Sequence, residues 1–140
     1  MDEAAVTDPN LLNSLALAYM GDAVIEVYVR REIISRSGVS KPHALHARAV
    51  AYVSAKSQSK FLHELMDGHF LTEEELNVVR RGRNAKSHSV PRNTDVQTYN
   101  FSTGFEALIG TLYFKGENER IDAIMDRMFA NHPVERSKCE

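Results

Sequence analysis

Apolar residues along this chain return every three or four positions rather than every second one, a pattern that predicts helices and no strand. Leu12, Leu15, Ala16, Tyr19, Ala23, Val27 and Tyr28 carry the period first. Asp8 supplies a cap and Pro9 a residue pre-set for the first helical position, so one long helix is predicted from about Pro9 to about Ser35. Gly21 interrupts it at a cost of about 1 kcal/mol relative to alanine, and close approach of another backbone is the physical reason to carry it. Ser37-Gly38-Val39-Ser40 ends the element. Ser40 and Pro42 start the next, bearing Leu45, Ala49 and Tyr52, and the pattern breaks or bends around Ser54. A fresh apolar set, Phe61, Leu62, Leu65 and Met66, then lies between Ser57 and Asp67, closed by Gly68.

Thr72-Glu73-Glu74-Glu75 reads as a capping box, with threonine as cap and Glu75 reaching back, opening a helix to about Arg81. The span from Gly82 to Thr98 has few apolar residues besides Val90 and Val96, and is long for a loop in a small domain, which favours a functional role. A helix resumes near Asn100 with Phe101, Phe105, Leu108, Ile109 and Leu112 on one face, and stops at Lys115-Gly116. The last carries Ile121, Ile124, Met125, Met128 and Phe129 before Pro133. The expectation is an all-α single domain over residues 1–140, of six or seven helices and without internal repeats.

Composition narrows the class. With 43% hydrophobic and 26% charged residues over 140 positions, the chain is an ordinary globular domain able to bury its own core. It shows neither an apolar run of membrane-spanning length nor a signal-peptide pattern, so a cytoplasmic location without membrane contact is expected. One cysteine, Cys139, cannot form an intrachain disulfide. Of six histidines only His43 and His46 could share a helical face, and without a third ligand nearby in sequence they read as exposed rather than zinc-binding.

Two carboxylates stand out against this background. Asp22 lies in Ala18-Tyr19-Met20-Gly21-Asp22-Ala23-Val24-Ile25-Glu26 and Glu106 in Phe105-Glu106-Ala107-Leu108-Ile109-Gly110, each inside an apolar helical run where an ionised group is costly unless a cation compensates it. Spacing alone leaves plainer roles open: Asp22 as a helix cap, Glu106 on a solvated helix edge. Charge distribution adds a third feature. The net charge of 17 − 19 = −2 argues against indiscriminate coating of nucleic acid, yet no acid occurs from Leu76 to Thr94, where Arg80, Arg81, Arg83, Lys86 and Arg92 fall together with His88. Such a patch is a candidate phosphate-binding surface, or else a solvated loop with helix-ending cations.

Met20-Gly21-Asp22-Ala23-Val24 resembles the signature helix of ribonuclease III, and Phe105-Glu106-Ala107-Leu108-Ile109-Gly110 its second acidic helix. With Arg81-Gly82-Arg83-Asn84-Ala85-Lys86 and Asn93-Thr94-Asp95-Val96-Gln97-Thr98-Tyr99 between them, the whole chain is similar to the short Mini-ribonuclease III family. The resemblance implies a helical homodimer that cuts double-stranded RNA, with Asp22 and Glu106 as catalytic ligands of Mg²⁺, for which Mn²⁺ can substitute. It also implies the precursor of large-subunit ribosomal RNA as substrate and a large-subunit ribosomal protein as candidate helper. Grip on RNA is expected from Arg81, Arg83 and Lys86, with Arg92 and Lys56 as further candidates, because no double-stranded-RNA-binding domain is expected in the chain. The apolar side of the Asp22 helix is the candidate dimer face.

Two positions depart from the longer members of that family. Ala18 stands where they carry a glutamate four residues before the aspartate, and Thr103 where they carry an aspartate three before the second acid. These losses favour weaker metal binding and put a second metal in doubt. Glu26, one turn after Asp22, is more simply the partner of Arg30. Two rival readings follow: a non-catalytic RNA-binding module for ribosome assembly, supported by the missing acids, and an all-α nucleotide phosphohydrolase, which leaves the basic stretch unexplained.

Overall fold

The helix richest in apolar residues sits at the centre. The computed structural model describes residues 12–85, 90, 92 and 94–137, in which α1 (Ser14–Arg36), α2 (Pro42–Val53), α3 (Ala55–Asp67), α4 (Glu73–Asn84), α5 (Val96–Phe114) and α6 (Asn118–Asn131) follow one another. The described residues contain no strand, as the apolar period predicts. α5 buries every residue from Phe101 to Leu112 except Glu106, and a helix that is apolar all round must be enclosed. α1, α3 and α4 enclose it, while α2 packs on α1. Ile25, Val29 and Ile33 of α1 join Phe61, Leu62 and Leu65 of α3, Phe105, Leu108 and Ile109 of α5, and Ile121, Ile124 and Met125 of α6 in one core. Phe61 and Phe105 meet edge to face, centroids 5.4 Å apart, which locks α3 onto α5 next to Glu106.

Several boundaries differ from expectation, each for a local reason. α1 begins at Ser14 rather than Pro9, because Asn13 takes the capping position and its side-chain oxygen accepts the Leu15 N–H at 2.7 Å; Asp8 and Pro9 lie outside the described residues. α2 and α3 are divided at Ser54, as expected. Its extended backbone ends one helix, and its hydroxyl accepts the Ser57 N–H to start the other. α4 continues past Arg81 to Asn84, and α5 begins at Val96 rather than near Asn100. The predicted loop from Gly82 to Thr98 is therefore shorter. Gly82 is a point of contact and not a stop: a Cβ there would lie 2.8 Å from the Gly104 Cα. Asp95 caps α5 by accepting from the Thr98 N–H and hydroxyl, at 2.8 and 2.9 Å.

The capping box at Thr72 forms as predicted, and Glu75 also does something the sequence does not show. It is buried, and Arg120 of α6 grips both its oxygens, at 2.7 and 2.8 Å, while donating to the Phe70 carbonyl at 2.7 Å. Burial alone would raise the Glu75 carboxyl; the Arg120 guanidinium and the Thr72 hydrogen bonds outweigh it and hold the group below its ordinary range. Removing one member of a buried pair strands the other, so Arg120→Ala is expected to destabilise the fold by about 3 kcal/mol in urea titrations at neutral pH. Because the folded-state pKa is depressed, this contribution is present above the unfolded carboxylate value and lost as pH falls below it and through the lowered folded-state value. Wild type and variant should therefore converge in acid.

Candidate active site

α1 and α5 touch backbone to backbone. A Cβ on Gly21 would lie 1.8 Å from the Glu106 carbonyl oxygen, and one on Gly110 would lie 1.9 Å from the Leu17 carbonyl oxygen. Only glycine fits at either place, which is the close approach that Gly21 predicts. The crossing fixes the candidate site directly, since Asp22 follows Gly21 and Glu106 lies one turn before Gly110. The two carboxylates, far apart in sequence, converge there, near enough for the Asp22 charge to act on Glu106. Asp22 is exposed, whereas Glu106 is largely buried.

Electrostatics at the crossing are strained in one direction. Burial first, and then the charge and proximity of Asp22, push the Glu106 carboxyl up from 4.5 to about 8, against a smaller opposite pull from Gln58. Among the described residues neither acid is ion-paired with a lysine, arginine or histidine. Two converging carboxylates, one poorly solvated, both without a protein cation and one open to solvent, suit a hard divalent cation that takes oxygen ligands and keeps several waters. The donor set fits such an ion, and Asp22 and Glu106 would hold it.

The positions of the missing acids are filled by packing. Ala18 is buried in a cluster with Leu17 and Ala107, and Thr103 turns its hydroxyl back onto the Tyr99 carbonyl at 3.0 Å. Neither contributes a ligand, and no group of three or more His, Cys, Asp or Glu able to hold a metal occurs among the described residues. Glu26 pairs with Arg30 at 3.1 Å, the role expected of it.

The candidate RNA contacts lie on α3, on α4 and in the segment between α4 and α5. Arg81 on α4, Lys56 in the first turn of α3, and Arg92 are exposed. Arg83 is only partly so. Its stem packs where a Gly104 Cβ would be, 3.1 Å from its Cγ, and its guanidinium stacks over the Phe101 ring at 4.0 Å, with Nε buried and unpaired. That stacking places a cation against α5 within two turns of Glu106. Lys86 lies outside the described residues, as do His88 and Cys139. One residue at the centre was not singled out from the sequence: Gln58 on α3, buried and facing Glu106. Its signal was available, because position 58 shares the helix face of Phe61, Leu62 and Leu65, a face otherwise apolar.

With this geometry in place, comparison with known proteins decides the relationship. Residues 15–117 match the ribonuclease III domain. The chain belongs to the ribonuclease III family. Within that family it is similar to Mini-ribonuclease 3 of Staphylococcus aureus, 48% identical over 128 residues that span 91% of this chain and 95% of that one. Mini-ribonuclease 3 of Brevibacillus brevis is 51% identical, over 91% and 93% of the two chains. A crystal structure of a Fusobacterium nucleatum protein superposes with a TM-score of 0.78 at 27% identity, covering 89% of this chain and 98% of that one. Members of the ribonuclease III family are endoribonucleases that generally depend on divalent metal, and the all-α architecture expected from the sequence is the one found. No helix among the described residues is long and apolar enough to cross a membrane.

Proposed function

We propose that this chain is a cytoplasmic, Mg²⁺-dependent endoribonuclease that cuts double-stranded RNA as a homodimer. The precursor of large-subunit ribosomal RNA is its substrate class, and Mn²⁺ can replace Mg²⁺. The observation that carries the reading is the convergence of Asp22 and Glu106 at a glycine-only helix crossing, with neither acid ion-paired among the described residues. A bound cation supplies Lewis-acid activation of the phosphodiester and of the attacking water. The chain supplies the rest. Asp22 and Glu106 would hold and orient the ion, with Glu106 the less solvated of the two. Arg81, Arg83, Lys56 and Arg92, with Lys86, neutralise phosphates along a duplex that is recognised by backbone and shape.

Dimerisation fits the exposed face of α1. Tyr19, Val27 and Ile34 stand 84%, 63% and 61% exposed on it, and a second copy packed there would remove them from water. A two-fold axis at this face would bring two copies of the Asp22 helix together and give one site per strand of a duplex. A large-subunit ribosomal protein remains the candidate helper.

The test is incubation with double-stranded RNA and Mg²⁺. The reading requires cutting by wild type and none by Asp22→Asn or Glu106→Gln. The non-catalytic RNA-binding alternative, which Ala18 and Thr103 favour, requires intact RNA throughout; release of phosphate from nucleotides without action on RNA would mark a phosphohydrolase. Binding is separable from cutting. In an Asp22→Asn background, Arg81→Ala and Lys56→Ala are each expected to lower the salt slope of duplex affinity by about one, and Arg83→Ala to weaken binding further by releasing the end of α4 from Phe101. Equal affinity for all of these at several salt concentrations would remove the basic surface from the mechanism.

A further inference from the structure

Gln58 is an anomaly that packing alone does not explain. Its side chain is 1% exposed, and neither its amide nitrogen nor its amide oxygen has a hydrogen-bond partner among the described residues. Buried polar atoms are nearly always satisfied, and an orphaned pair calls for a reason. The same helix face carries Phe61, Leu62 and Leu65, each at most 1% exposed, so leucine or methionine would fill position 58 without a desolvation penalty.

Location supplies the reason. Gln58 lies one turn before Phe61, whose ring packs on Phe105 at 5.4 Å, and Phe105 immediately precedes Glu106. This register sets Gln58 of α3 beside the Glu106 turn of α5, and the amide group acts on that acid in the direction that favours its charged form. Asp22 approaches Glu106 from α1 and Gln58 from α3. The first is an acid that repels a second charge; the second is a neutral donor that can stabilise one.

We propose that Gln58 is a positioning residue for Glu106: its Nε2–H donates to the ionised carboxylate and fixes the orientation in which that carboxylate holds a divalent cation. The inference rests on the nuclease reading of the Asp22–Glu106 pair and deepens it. It also gives the orphaned amide nitrogen a partner. A site with two acids instead of four has fewer ligands to constrain one another, so a fixed carboxylate matters more in it.

The test uses the full chain with Gln58→Leu, and Gln58→Met as a second variant of similar volume should the first fold poorly. Mn²⁺ affinity is measured by calorimetry without RNA, and cleavage of a double-stranded RNA is followed under saturating metal. Both variants are expected to bind Mn²⁺ about tenfold more weakly and to lose about tenfold in kcat with KM for RNA unchanged, while melting at or above the wild-type temperature. A polar residue with only a structural role would instead lower the melting temperature and leave metal affinity alone. Unchanged Mn²⁺ affinity and kcat in both variants, with affinity still lost in Asp22→Asn and Glu106→Gln, would overturn this inference and leave the nuclease reading intact. A wild-type chain that binds no Mn²⁺ would overturn both.

Discussion

Gly21→Ala is expected to cost on the order of 4 kcal/mol or more, a large part of the stability of a domain this size. The added methyl would sit 1.8 Å from the Glu106 carbonyl oxygen, and its neighbour is main chain of a buried helix, not the flexible end of a side chain. Overpacking against side chains costs about 1–3 kcal/mol because rotamers give way. Here relief comes only if α1 and α5 part by roughly 1.5 Å, which would loosen the contacts of Ile25 and Val29 with the core as well. Gly110→Ala meets the Leu17 carbonyl at 1.9 Å and should behave alike. Since one separation relieves both clashes, the double variant should lose clearly less than the sum of the two. Urea titrations of the three variants check this, with the exposed Ala23→Ser on the same helix as control. Single variants within 1 kcal/mol of wild type would mean that the helices are not in backbone contact, and the convergence of Asp22 with Glu106 would lose its structural basis.

That crossing also shows how much of the molecule can be read from its sequence. Helix order, the break at Ser54, the capping box at Thr72 and the stop at Lys115-Gly116 follow from local rules, where a residue's neighbours in the chain decide its conformation. Gly21 was legible for a different reason: a glycine inside an apolar helix is a local cost that only a distant partner offsets, so its presence announces the partner without naming it. Gly82 illustrates the reverse error. The same residue near a helix end looks like a stop, and only the approach of Gly104 shows it to be a second close contact. The Arg120 clamp on Glu75 and the position of Gln58 are products of tertiary register. Periodicity flags a polar residue on the Gln58 face, but which helix faces it depends on how α3 lies across α5. The family motifs single out the two acids as candidates, whereas the burial that distinguishes Glu106 from the exposed Asp22 required the packed structure.

The asymmetry of the two acids makes pH and metal act together, and Glu106→Gln is expected to separate their effects. In the metal-free fold burial and the neighbouring Asp22 push the Glu106 carboxyl up from 4.5, its value in the unfolded chain, to about 8. Between these values the folded state holds a proton that the unfolded state has released, so stability falls as pH rises through the window and the loss is complete above it. A rise from 4.5 to about 8 corresponds to on the order of 5 kcal/mol. Glu106→Gln removes the ionisation, so the metal-free variant should melt higher than wild type at pH 8.5 and about equal to it near pH 4.5. Mg²⁺ or Mn²⁺ should reverse the order at high pH, because a cation bound by the ionised pair stabilises only the folded state and the variant has lost one of two charged ligands. The same substitution should lower cleavage by roughly a thousandfold, since several kcal/mol of transition-state stabilisation depend on the held ion. Melting curves at pH 4.5 and 8.5, with and without the cation, test the assignment without relying on turnover. If the cation raises the melting temperature of wild type, Asp22→Asn and Glu106→Gln equally, it binds elsewhere, and the buried carboxylate at the crossing would have to owe its place to packing alone.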